Sequence, residues 1–89
     1  MKIMAVCGSG LGSSFMMEMN IKKVLAKLGV EAEVSHTDLS SVVADDADLF
    51  VMAKDIAASS NVPKEKLIVV KNIVGLAEFE EKLTAYFNQ

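Results

Sequence analysis

Cys7 stands immediately ahead of Gly8-Ser9-Gly10-Leu11-Gly12-Ser13-Ser14, three glycines and three serines within seven residues. A thiol attacks as its thiolate. The N–H groups exposed by a glycine-rich turn, with the partial positive charge at the start of a following helix, favour that anion. The same donors suit the oxygens of a bound phosphoryl group. A nucleophile and an anion cradle are thus expected from eight consecutive residues. Cys7 is the candidate reacting group, and Gly8, Ser9, Gly10, Leu11, Gly12, Ser13 and Ser14 are the candidate cradle. Without this loop, Cys7 would read as a small buried hydrophobe at a strand end. Without the cysteine, the glycines would read as a tight turn.

Named motifs narrow the chemistry. The nucleotide loop G-x-x-x-x-G-K-[ST] is excluded because no lysine occurs between Lys2 and Lys22. The dinucleotide fingerprint G-x-G-x-x-G is excluded because the third glycine, Gly12, comes one place early. The loop of cysteine phosphatases, C-x5-R-[ST], comes nearer: counting from Cys7 puts Ser13 at the arginine position and Ser14 at the hydroxyl position. The chain contains no arginine at all. A bidentate guanidinium clamp on phosphate is therefore unavailable. A phosphocysteine formed here is expected to persist against water and await an acceptor.

Positioning such a loop needs a strand before it and a helix after it. Ile3 to Cys7 is a short apolar run that predicts a buried first strand. A helix is expected from Ser13 or Ser14, because Met17, Ile21, Val24 and Leu28 recur at helical spacing and Gly29 offers a stop. Glu18 and Lys22, four apart, are placed on its outer face. Further along, strands are expected at 32–35, 49–53 and 67–70, with a short helix over 38–44 and a helical turn over 55–60 before Pro63. A C-terminal helix is expected with Leu76, Phe79, Leu83 and Phe87 on one face. Alternating strands and helices predict an α/β fold: a three-layer, Rossmann-like, four-stranded parallel sheet in the order 2-1-3-4, with helices on both faces. In such sheets ligands bind beyond the carboxyl ends of the strands at the switch point, here the turn after the first strand.

The 89 residues suffice for one domain, 1–89, and 52% hydrophobic with 24% charged residues is a globular composition. Nine lysines against twelve acids give a net charge of −3, which argues against nucleic acid or anionic lipid as partners. A lone cysteine forms no internal disulfide, and with the lone His36 it makes no zinc site; no metal or cofactor is expected. No apolar run approaches a membrane span, so the chain is expected to be cytoplasmic and not itself membrane-inserted. His36 is expected to be solvated. Asp45, Asp46 and Asp48 read as a solvated charge run. Phe15, Met16 and Met19 do not all share the face of Met17 and Ile21, and they form an apolar rim suited either to a docking partner or to filling gaps under loops.

The run Ala5-Val6-Cys7-Gly8-Ser9-Gly10-Leu11-Gly12-Ser13-Ser14 resembles the IIB component of the bacterial phosphoenolpyruvate-dependent sugar phosphotransferase system, most like its ascorbate-type branch. Related loops occur in the galactitol, mannitol and lactose/cellobiose types. Ala47-Asp48, Ile56-Ala57 and Val70-Lys71-Asn72 extend the resemblance over nearly the whole chain. It implies that Cys7 takes phosphate from a phosphohistidine on a IIA protein and passes it to a sugar bound by the IIC membrane permease, with Gly8 to Ser14 holding the phosphate. A regulatory or binding module of the same fold, sensing phosphorylation state, and a weak cysteine phosphatase or arsenate-type reductase remain as alternatives.

Overall fold

The computed structural model describes residues 1–7, 11–38, 41–43, 45–71 and 75–88; of Cys7 and residues 11–14 it describes the backbone. Strand β1 (Lys2–Cys7) pairs in parallel with β2 (Glu33–Asp38) on one side and with β3 (Leu49–Ala53) on the other, and β4 (Leu67–Val70) extends the sheet beyond β3. The order is β2-β1-β3-β4, as the alternation of elements predicts. Because every pair is parallel, Cys7, Asp38, Ala53 and Val70 all close their strands at the same end of the sheet.

Side chains alternate across β1, so Ile3 and Ala5 join one core cluster while Met4 and Val6 join another. The first cluster lies under α1 (Leu11–Leu28) and α3 (Leu76–Phe87). Met17, Ile21, Val24 and Leu25 of α1 and Phe79 and Leu83 of α3 meet Leu49, Val51, Ile68 and Val70. Fully burying each large side chain contributes about 1.5–3 kcal/mol. The exposed Lys27–Glu80 pair between these helices, at 2.8 Å, adds about 0–1 kcal/mol. Apolar packing therefore docks α1 and α3 on the sheet. The opposite face is covered by α2 (Lys54–Ala57), through Ile56 and Ala57, and by Val42, Ala47 and Val62. Helices thus occupy both faces, the second one sparsely.

Gly29 ends α1 as expected. Its φ of 73° is open to glycine at little cost, and it lets the Gly29 and Val30 N–H groups turn back to the carbonyls of Ala26 and Leu25, at 3.3 and 2.9 Å.

Local boundaries differ from the sequence expectation in three places, at the start of α1, along β2 and at α2. The helix α1 begins at Leu11 rather than at Ser13 or Ser14, so leucine, a strong helix former, outweighs the capping preference of the serines. Strand β2 covers 33–38 rather than 32–35, its polar end carried by pairing with β1. The short helix expected over 38–44 falls in part on 39, 40 and 44, which lie outside the described residues; Asp38 itself closes β2, its carboxylate accepts the Ser41 N–H at 2.9 Å, and Ser41 is in a 3-10 turn. The turn expected over 55–60 is α2, helical from Lys54 to Ala57.

Candidate active site

Cys7 is the last residue of β1, its backbone in register with Asp38 at the end of β2. Leu11, Gly12, Ser13 and Ser14 form the first turn of α1, where backbone N–H groups have no carbonyl partner within the helix. No acidic residue lies in that first turn, so nothing there offsets the positive end of the helix dipole. Gly8, Ser9 and Gly10, the rest of the expected cradle, lie outside the described residues. The fold therefore brings the end of the cysteine strand and the start of the helix within three residues of chain. The carboxyl ends of β2, β3 and β4 lie alongside.

Around this end the described side chains make three further features. Phe15, Met16 and Met19 are 50%, 43% and 44% exposed, so the apolar rim is on the surface rather than under a loop. Lys71, one residue past β4, donates its backbone N–H to both carboxylate oxygens of Glu78. The third is a cluster that the sequence reading misplaced. Glu18 is 8% exposed, the one buried charged residue among the described residues, and does not sit on the outer face of α1. Its Oε1 lies 2.6 Å from His36 Nδ1, and its Oε2 lies 2.9 Å from Lys22 Nζ. Burial by itself would raise the affinity of this carboxyl for a proton. Hydrogen bonds from His36 and Lys22, with their charges, outweigh burial and hold the group below the ordinary 4.5.

His36 is accordingly half-buried and held, not freely solvated; its ring also meets Phe15 edge-on, at 5.8 Å between centroids. Two signals in the sequence pointed here. Glu18 is seven residues before the buried Leu25 and so shares its side of the helix, and His36 is two residues after Val34, on the same face of β2.

Among the described residues no group of His, Cys, Asp and Glu is arranged to hold a metal, and no helix is long and apolar enough to cross a membrane. A hollow lined by Lys64, Leu67, Val69, Lys82 and Tyr86 follows the β4 edge, separated from β1 by β3.

Residues 2–85 match the sequence model of the family described as "PTS system, Lactose/Cellobiose specific IIB subunit". The chain belongs to this IIB family. Ascorbate-specific PTS system EIIB component of Salmonella typhimurium is 31% identical over 85 residues, covering 92% of this chain and 84% of that protein. The mannitol-specific cryptic EIICB component of Escherichia coli K12 is 35% identical over 89 residues, covering 99% of this chain but only 18% of that longer protein. In fold, the IIB domain resembles a low molecular weight protein tyrosine phosphatase from Bacillus subtilis, with a TM-score of 0.56 over 99% of this chain and 91% of that one at 15% identity. That likeness concerns architecture. Family membership carries the functional weight and places the chain among the components of the sugar phosphotransferase system.

Proposed function

We propose that Cys7 is a phosphoryl carrier between a IIA protein and a sugar held by a IIC membrane permease. The observation that carries this reading is the position of Cys7. Within a chain of the IIB family, the lone thiol belongs to the residue that closes β1, with three residues between it and a helix whose first-turn N–H groups have no carbonyl partner within the helix.

In the first step the thiolate attacks the phosphorus of a IIA phosphohistidine in line; an S–P bond forms, the N–P bond breaks, and the ring, protonated on its other nitrogen, leaves with that electron pair as neutral imidazole. The amides of Gly8 to Ser14 and the hydroxyls of Ser9, Ser13 and Ser14 hold the phosphoryl oxygens. In the second step a hydroxyl of the substrate attacks the same phosphorus. The O–P bond forms, the thiolate leaves with the S–P pair, and the hydroxyl proton passes to water. The substrate class is a sugar, a polyol or ascorbate. The relatives named above divide between ascorbate and mannitol, and the family description adds lactose and cellobiose. The setting is the cytoplasm, where a lone thiol stays reduced.

The test is incubation with phosphoenolpyruvate, the general phosphotransferase proteins and a IIA of the ascorbate type, followed by intact mass and peptide mapping. One phosphate on Cys7, absent from Cys7→Ser, is expected. Phosphate on His36 or on a serine, retained in Cys7→Ser, overturns the assignment.

A further inference from the structure

We propose that Glu18 and His36 form a positioning pair for the Cys7 reaction, their hydrogen bond setting how the first turns of α1 are aimed at the sulfur. This inference rests on the reading of Cys7 as the phosphoryl carrier.

The nucleophile and the donors that must hold its phosphate sit on two different elements. Cys7 belongs to β1, and the N–H groups of residues 11–14 belong to α1. Met17, Ile21, Val24 and Leu25 hold α1 on the sheet, but apolar contact is non-directional and leaves rotation of a helix about its axis weakly defined. A hydrogen bond to a carboxylate is directional.

The Glu18–His36 bond, at 2.6 Å, joins α1 to β2 about 10 Å along the helix from Leu11, at 1.5 Å per residue. Its sheet partner is fixed relative to the cysteine: His36 pairs with Ala5 in the same ladder that sets Asp38 opposite Cys7. Phe15, three residues nearer the helix start, touches the same imidazole. Lys22 holds the second carboxylate oxygen, so Glu18 is gripped from both sides. An apolar residue packs well on this side of the helix, as Leu25 does, and a part-buried polar pair is weak support for stability alone. What the pair supplies is geometry. The stakes are high, since a misplacement of about 1 Å in a reacting site costs on the order of 100-fold in rate.

The experiment compares alkylation of Cys7 by iodoacetate, an anion, with alkylation by neutral iodoacetamide, at one pH, in the full chain. The ratio of the two rates reports how well the anion donors are aimed at the sulfur. In the unmodified protein it should exceed that of a free cysteine peptide. Glu18→Ala separates two effects: deleting a buried negative charge would by itself raise the ratio, whereas loss of aim lowers it. We expect a fall of roughly two- to fivefold, the scale of a helix-terminus effect, in Glu18→Ala and in His36→Ala.

Glu18→Gln keeps an acceptor and His36→Asn keeps an N–H donor near the Nδ1 position, and both should retain most of the ratio. Urea unfolding accompanies each variant. If Glu18→Ala does not fold, the contrast between His36→Ala and His36→Asn decides. A ratio unchanged or raised in the folded alanine variants overturns the inference alone, as does an equal fall in alanine and conservative variants. An unmodified protein with no anion preference beyond the free peptide overturns the reading of the loop and the inference with it.

Discussion

The backbone N–H of Lys71 is held by both carboxylate oxygens of Glu78, at 2.9 and 2.8 Å. Glu78 is the third residue of α3 and is also paired with Lys82 at 3.3 Å, so one side chain fastens the end of β4 to the start of the helix that returns across the sheet. Its charge complements the helix N-terminus as well. Glu78→Ala should lower unfolding stability by about 1–3 kcal/mol, the scale of a lost hydrogen bond to a charged group, and Glu78→Gln should cost less. Urea midpoints measure both. A change below about 0.5 kcal/mol, the range of an ordinary surface substitution, would show that water replaces the carboxylate freely.

Acid should expose the Glu18 cluster. The carboxyl is held below its ordinary 4.5 in the folded protein, because the hydrogen bonds from His36 and Lys22 outweigh burial. Its stabilisation is therefore fully present above the unfolded value and is lost as pH falls from about 4.5 through the lower folded value. The difference in urea midpoint between the unmodified protein and Glu18→Gln should shrink over that window. A difference that stays constant down to about pH 3 would mean that Glu18 is not the titrating group.

The rim on α1 separates docking from folding. Met16 and Met19 are about as exposed as each other, at 43% and 44%, so Met16→Glu and Met19→Glu should change stability by less than about 0.5 kcal/mol. If the proposed IIA partner docks over the start of α1, it covers this rim and excludes water from it. Each charge should raise the donor concentration needed for half-maximal transfer several-fold, on the order of one interface contact of about 1 kcal/mol. Transfer rates against donor concentration give the answer, and unchanged rates in stable variants would move docking to another surface.

Much of this architecture was legible because its signals are local. The apolar runs at 49–53 and 67–70 coincide with β3 and β4, and the stripe through Phe79 and Leu83 marks the buried side of α3. The end of β2 was hidden because His36, Thr37 and Asp38 are polar and are drawn into the sheet by pairing with Ala5, Val6 and Cys7, a partner distant in sequence. The Glu18–His36 contact was masked for a related reason: an i,i+4 pair of opposite charges looks solvated, and the shared side with Leu25 and the shared face with Val34 become a contact only where α1 crosses β2. Cys7 stood out on residue type and loop spacing together.

The direction of α3 has a consequence for how such a domain is strung into larger chains. Glu78 meets Lys71 just past the end of β4, Lys82 donates to the Val69 carbonyl, and Tyr86 lines the same hollow as Leu67, so the helix runs antiparallel to the strands. Lys2 and Phe87 consequently lie at the amino end of the sheet, opposite the Cys7 end. A linker attached at either place would join the domain at the end of the sheet opposite the carboxyl end of β1. A flexible tether would also hold it at an effective concentration on the order of millimolar to a neighbouring domain, provided the linker can span the distance.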